Sequence, residues 1–209
     1  MSVEYQLTDE NELSIQYFAQ SDQTTIINLT HHSFFNLKGA GNGNVNDHLL
    51  QINADYFTPI DAQLIPTGVI QKVVNTPFDF LLPTQIGSRI DALDDQLTYG
   101  HGYDHNYVLN PSDSLVSFAA RVVEPVSKRT LEVYTNEPGM QFYGGNFLDG
   151  TVKGKKDKNY EHRGAFCLET QHFPDSPNKI QFPSTSLAAE EPYYSCLLYT
   201  SPSPRDVEE

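Results

Sequence analysis

The stretch "RTLEVYTNEPGMQFYGGNF", residues 129–147, contains two short runs that are each typical of a β-strand. "RTLEVYTN" and "GMQFYGGNF" are rich in β-branched and aromatic side chains, and residues that break strands separate them. The Gly144-Gly145 pair allows a bulge or the close approach of another backbone. The stretch therefore predicts two consecutive strands of an all-β domain.

Similar runs occur along most of the chain, and each is bounded by Gly, Pro, Asn, Asp or Ser. "SVEYQL" and "ELSIQYF" flank "DEN", which predicts a hairpin. Further strand patterns are "TTIINLTHH", "HLLQINADYF", "YDHNYVLN", "LVSFAARVVE" and "AFCLETQ". Helical periodicity is nearly absent, and no interior linker divides the chain. We predict one all-β domain over residues 1–195, either a sandwich or a barrel.

Composition limits the classes of partner. The 209 residues carry a formal charge of −14, which disfavours nucleic acids and anionic membrane surfaces. Two cysteines are too few for a disulfide scaffold and favour a reducing compartment. The N-terminus has no signal-peptide pattern, and no apolar run approaches the ~20 residues of a membrane span. We expect a soluble cytoplasmic protein, and its composition is compatible with a neutral small-molecule ligand.

The C-terminal residues lose the strand pattern. Residues 196–209 include the Pro- and Ser-rich "TSPSPRD", which predicts disorder. "CLLYTSPSPRD" also resembles a translated sequencing adapter, so we expect this tail to be non-native sequence.

Strand alternation assigns the adjacent histidines of "NLTHHSFFNL" to opposite faces. If residues 24–32 form one strand, His31 shares a largely apolar face with Ile27 and Leu29, and His32 lies on the polar face. A packed histidine is the commoner situation for His31, so His32 is the candidate for contact with a ligand. Histidine titrates closest to neutrality, which suits it to proton transfer.

Glu169 lies within "AFCLETQ", a strand predicted to be central in its sheet. Glutamate is depleted in strands and is costly to bury, so burial should raise its pKa and make it a better base near neutrality. Asp104 and Gln141 lie in two other predicted strands. Either could be an ordinary turn or strand residue.

A metal site is the rival interpretation of the histidines, and its candidate ligands are His31, His32, His101 and His105. There is no H-x-H, no H-E-x-x-H and no cysteine pair, so the spacing is unspecific and we expect no metal.

The chain resembles the aldose 1-epimerases, also called galactose mutarotases. The matching stretches, between about residues 24 and 188, are "NLTHHSFFNL", "LIPTG", "FDF", "YDHNYVL", "LEVYTNEPGMQFYGGNFLDGT" and "FCLETQHFPDSPN". The resemblance implies a large antiparallel β-sandwich with an open sugar-binding face, interconversion of the α- and β-anomers of free aldoses, and no cofactor. It implies that His32 is the general acid, that Glu169 is the general base, and that Asp104 and Gln141 bind sugar hydroxyls.

Two departures accompany the resemblance. His31 replaces the asparagine of the family motif, and the N-R and S-L-H-G-G motifs of the family do not occur. We therefore expect an N-terminally truncated chain whose full-length form is a monomer. The resemblance implies that the missing motifs supply an arginine and a second histidine to the sugar site, so it leaves the activity of this fragment open. The competing functions are a non-catalytic carbohydrate-binding sandwich and a mutarotase for phosphorylated sugars. The latter needs a basic clamp, for which the sequence offers only Arg89, Arg121, Arg129 and scattered lysines.

Overall fold

The computed structural model of the protein describes residues 1–201, which form antiparallel β-sheets. The larger sheet contains, in spatial order, β1 (Ser2–Leu7), β2 (Glu12–Ala19), β14 (Tyr193–Thr200), β10 (Thr130–Thr135), β9 (Ser117–Val123), β4 (Leu49–Ile52) and β7 (Thr84–Gln85). The smaller sheet contains β12 (Cys167–Gln171), β11 (Gly139–Tyr143), β8 (Asp104–Val108), β5 (Tyr56–Thr58) and β6 (Gln71–Lys72).

The remaining regular elements are short. β3 (Thr25–Ile26) pairs with β13 (Ser186–Leu187), and the helix α1 (Asp95–Tyr99) begins at an Asp94 cap. Single turns of 3-10 helix occur at Ile86–Ser88, Lys155–Asp157 and Ser176–Asn178. None of the helices in residues 1–201 is long and apolar enough to cross a membrane.

One hydrophobic core lies between the two large sheets and takes side chains from both. Met140 and Phe142 of β11 are fully buried, and the intervening Gln141 points away from the core. Val133 of β10 and Leu197 of β14 are among the buried residues of the facing sheet. This alternation places apolar side chains inside and polar ones outside, so the predicted all-β sandwich is confirmed.

Two local predictions from glycine and turn residues are also confirmed. β1 and β2 form an antiparallel hairpin around residues 9–11, where Asn11 has a φ of 61°. Gly145 has a φ of 73°, and a Cβ there would collide with the carbonyl oxygen of Ala165. Glycine is the residue that allows both the dihedral angle and the close approach.

Two predictions about strands are wrong in detail. The strand predicted over residues 24–32 forms regular backbone pairing only at β3. Beyond β3, the side chains of Asn28 and Thr30 donate hydrogen bonds to backbone carbonyls of the neighbouring segment. β12 is the outermost strand of the smaller sheet rather than a central one.

Disorder predicted from residue 196 does not hold over residues 196–200, because β14 pairs there with both β2 and β10. Its side chains at Leu197 and Tyr199 are buried in the core. Residues 202–209 of the predicted tail lie outside the described residues.

Candidate active site

A pocket of about 380 Å³ opens on the face of the smaller sheet that points away from the core. This volume is within the usual range for small-molecule sites. All four residues singled out from the sequence reach it. The lining side chains are His32, Phe34, Asp104, Gln141, Tyr143, Phe147, Glu169 and Gln171.

The register of three strands explains why the acidic and amide groups converge. Gln141 of β11 pairs directly with Glu169 of β12, and Tyr143 of β11 pairs with Asp104 of β8. Directly paired residues share a face of the sheet, and so do residues two positions apart on a strand. Glu169, Gln141, Tyr143 and Asp104 therefore project to the same side.

His32 comes from a segment that follows β3 and runs along the free edge of β12. Asn28 anchors the start of this segment, because its side chain donates to the His172 carbonyl at 2.9 Å and accepts from the His172 amide at 3.0 Å. At the other end Phe35 and Phe166 exchange two backbone hydrogen bonds of 2.8 and 2.9 Å. His32 is held between these two anchors, beside the strand that carries Glu169.

The imidazole of His32 lies against the carboxyl group of Glu169. The distance from Nε2 to Oε1 is 3.3 Å, and the side chains are 52% and 9% exposed, respectively. His32 also stacks on Phe34 with ring centroids 4.9 Å apart. One partner of this contact is therefore open to solvent and the other is nearly buried.

Burial raises the pKa of the Glu169 carboxyl group to about 7, and the negative charge of Asp104 adds to the increase. A carboxyl group with this pKa is partly protonated and partly ionised near neutral pH. It can accept or return a proton there with little energetic cost, which an ordinary surface glutamate cannot do.

Asp104 and Gln141 form a second polar pair in the pocket. Gln141 Nε2 donates a hydrogen bond of 2.8 Å to Asp104 Oδ1. Burial raises the pKa of Asp104, while this hydrogen bond acts in the opposite direction. Gln141 Oε1 is buried and has no hydrogen-bond partner among residues 1–201, so the amide presents an acceptor to an incoming ligand.

Two of the other histidines, His31 and His105, lie away from this pocket. His31 points the other way and packs against Tyr199, with burial lowering its pKa, which agrees with the packed position predicted from alternation. His105 is completely buried beside Phe78, and burial lowers its pKa to about 3.

The rival four-histidine metal site does not form. Within residues 1–201, the potential ligand side chains that come together in a group of three or more are His32, Cys167 and Glu169. That group includes only one of the four histidines.

Sequence reasoning assigned no role to several lining residues: Phe34, Tyr143, Phe147 and Gln171. Strand alternation could have found two of them. Tyr143 is two positions from Gln141, and Gln171 is two positions from Glu169, so each lies on the same face as its predicted neighbour. Phe34 and Phe147 lie outside regular strands, where alternation gives no guidance.

The fold and the pocket together define an all-β sandwich that carries a paired acidic and imidazole group on one open sheet face. A sequence model of the family described as aldose 1-epimerase matches residues 1–200. The galactose mutarotase of Mus musculus is 49% identical over 185 residues, which make up 88% of this chain and 52% of the mouse protein. The aldose 1-epimerase of Escherichia coli K12 is 38% identical over 200 residues, covering 95% of this chain and 57% of the bacterial protein.

A solved structure has the same fold. The aldose epimerase homologue from C. elegans superimposes with a TM-score of 0.84 at 31% identity, over 95% of this chain and 58% of that one. The chain belongs to the aldose 1-epimerase family. It spans about half the length of the curated relatives that it matches.

Proposed function

We propose that the protein is an isomerase that interconverts the α- and β-anomers of free aldoses such as D-galactose and D-glucose. The observation that carries this proposal is the Glu169 carboxyl group, whose pKa is raised to about 7 and which lies 3.3 Å from the His32 imidazole. The mouse relative is a galactose mutarotase, and the Escherichia coli relative is an aldose 1-epimerase.

The reaction requires an acid and a base that act on two oxygens bonded to the same carbon. Ionised Glu169 takes the proton from the C1 hydroxyl, and protonated His32 gives a proton to the ring oxygen. The bond from C1 to the ring oxygen breaks, C1 becomes an aldehyde, and rotation about the bond to C2 exposes its other face. The ring then closes with the two proton transfers reversed. Each proton-transfer group contributes about 10²–10⁴-fold.

The neighbouring groups fit a sugar. Asp104 accepts hydrogen bonds from sugar hydroxyls, and an ionised carboxylate binds them more strongly than a neutral acceptor does. Gln141 Oε1 is the unpaired acceptor in the same pocket. The exposed ring of Phe34 offers a surface for the apolar face of a pyranose.

The proposal extends to the setting of the protein. We propose that it works in the cytoplasm as a full-length monomer, without nucleic-acid or membrane partners and without a cofactor. The net charge of −14 disfavours nucleic-acid and anionic membrane partners, and the two free buried cysteines fit a reducing compartment. Fluorescence microscopy of a tagged protein and light scattering coupled to gel filtration test the location and the oligomeric state. A membrane-associated signal or the mass of a dimer would contradict them.

Polarimetry on freshly dissolved α-D-galactose tests the activity directly. We expect the 209-residue chain to speed the approach to anomeric equilibrium relative to buffer, and we expect Glu169→Gln to abolish most of the increase. A rate equal to that of buffer would overturn the activity for this chain. Galactose binding measured by calorimetry without any rate increase would favour the non-catalytic carbohydrate-binding alternative.

A further inference from the structure

Cys167 places a thiol beside the proposed acid and base, and the proposed reaction does not use it. Its sulfur, a ring nitrogen of His32 and a Glu169 carboxylate oxygen all lie within 4.8 Å of one another. Cys167 is a free cysteine with a fully buried side chain. It pairs across the sheet with Tyr143, so its side chain is held on the pocket side of β12.

The three donor atoms form a set that suits Zn²⁺. Imidazole nitrogen, thiolate sulfur and carboxylate oxygen are the ordinary protein ligands of this ion, at roughly 2.0–2.3 Å in tetrahedral geometry. Such geometry requires donor atoms about 3.3–3.8 Å apart. The separation of 3.3 Å between His32 Nε2 and Glu169 Oε1 already meets this requirement. Small rotations of the exposed His32 side chain can adjust its distance to the Cys167 sulfur.

The charges around the pocket also favour a cation. Asp104 adds a second carboxyl group next to Glu169, and no lysine or arginine occurs among the residues that line this pocket. A divalent ion would offset the negative charge of these two neighbouring carboxylates.

We propose that His32, Cys167 and Glu169 form a binding site for a divalent transition-metal ion, of which Zn²⁺ is the best match. The ion takes three protein ligands and leaves its fourth position to water on the solvent side of the pocket. Binding displaces the thiol proton of Cys167 into solvent, because the thiolate is the ligand. No electron transfer is involved.

The consequence for activity rests on the proposed function. Zn²⁺ at this site occupies both proton-transfer groups, so it excludes the acid–base reaction and acts as a reversible inhibitor. Binding of the metal itself does not depend on that function, and it can be measured without a sugar.

Titration with Co²⁺ followed by absorption spectroscopy tests the site, since thiolate coordination to Co²⁺ gives a charge-transfer band that carboxylate and imidazole ligands do not produce. We expect this band with the reduced 209-residue chain, and we expect Zn²⁺ to displace it. Cys167→Ser should abolish the band. The matched control is Cys196→Ser, because Cys196 is also buried and free but lies in β14 of the other sheet, and this variant should keep the band.

A second variant covers the case in which Cys167→Ser fails to fold. His32 is half-exposed, so His32→Gln should fold normally and weaken Co²⁺ binding by at least about tenfold. Absence of the band in the wild-type chain, or binding unchanged in His32→Gln, would overturn the metal site. A normal band without inhibition of galactose mutarotation by Zn²⁺ would overturn only the inhibitory consequence. A band in a chain that has no activity would leave the metal site standing and reject the proposed function.

Discussion

His32 Nε2 lies 3.3 Å from Glu169 Oε1, although the two residues are far apart in the sequence and only Glu169 belongs to a regular strand of the sheet. The contact depends on Asn28, whose side chain binds the backbone of His172, and on the pairing of Phe35 with Phe166. These anchors hold an irregular segment against β12. The proposed acid, His32, therefore reaches the proposed base because its segment lies along the outer edge of β12. Gln141, by contrast, lies beside Glu169 because the two residues pair directly between β11 and β12.

The raised pKa of Glu169 predicts the pH dependence of the proposed reaction. The base must be ionised and the acid His32 must be protonated, so kcat/KM should follow a bell-shaped pH profile. Its ascending limb should have a midpoint of about 7, the pKa of the Glu169 carboxyl group. Polarimetric rates measured from pH 5 to 8 check this. A midpoint near 4.5, the ordinary value for glutamic acid, would contradict a desolvated base.

Asp104 should influence that midpoint because its negative charge contributes to the raised pKa of Glu169. Asp104→Asn should shift the midpoint to lower pH, by less than about one unit since burial is the larger cause. It should also raise KM through the loss of a charged acceptor. Asp113→Asn removes the same charge from an exposed loop and should leave both quantities unchanged.

Glu169→Gln should lower kcat by about 10²–10⁴-fold and change KM far less, because the amide keeps the shape of the side chain but cannot accept the proton. Steady-state polarimetry separates the two constants. Turnover close to that of the wild type would reject the base role.

The same substitution should stabilise the fold at alkaline pH. The pKa of Glu169 in the folded chain is above the ordinary 4.5, so the native state favours the protonated form, and stability is lost as pH rises from about 4.5 to about 7. Glu169→Gln removes this loss. Its Tm should exceed that of the wild type at pH 8, and the difference should shrink toward pH 5. An equal difference at both pH values would contradict the linkage.

The core between the sheets should tolerate truncation poorly. Phe142 is fully buried and packs against Phe80 and Tyr103, so Phe142→Ala should lower the free energy of unfolding by about 3–5 kcal/mol. Leu93 is fully exposed, so Leu93→Ala should change the free energy of unfolding by no more than about 0.5 kcal/mol. Urea unfolding curves compare the two variants, and similar losses would mean that the core is not where the structure places it.

His105 should make the fold sensitive to acid. Its pKa in the folded chain is lowered to about 3 from 6.5, so the unfolded chain binds a proton at a pH where the folded chain does not. Stability is therefore lost as pH falls from about 6.5 toward 3. His105→Gln should flatten this decline in thermal unfolding experiments, and His162→Gln, at an exposed position, should not. Parallel declines for all three proteins would exclude His105 as a cause.

The sequence by itself determined the fold class and the side on which each strand residue lies. Period-two alternation is a local property, so it separated His31 from His32 and placed Glu169 opposite the buried Leu168 without any knowledge of the partners. The motifs around Glu169, Asp104 and Gln141 indicated the family, which the comparisons confirmed.

Only the tertiary structure decided which of those faces meet. Strand order and register depend on contacts between residues far apart in the sequence. They place Glu169 on the outermost strand of its sheet, and the segment that carries His32 lies along the outer edge of that strand. The pairing of β14 on both sides likewise made residues 196–200 part of the sandwich, where local composition predicted disorder. Burial raises the pKa of Glu169, and burial is a property of the packed sheets that no single stretch of sequence contains.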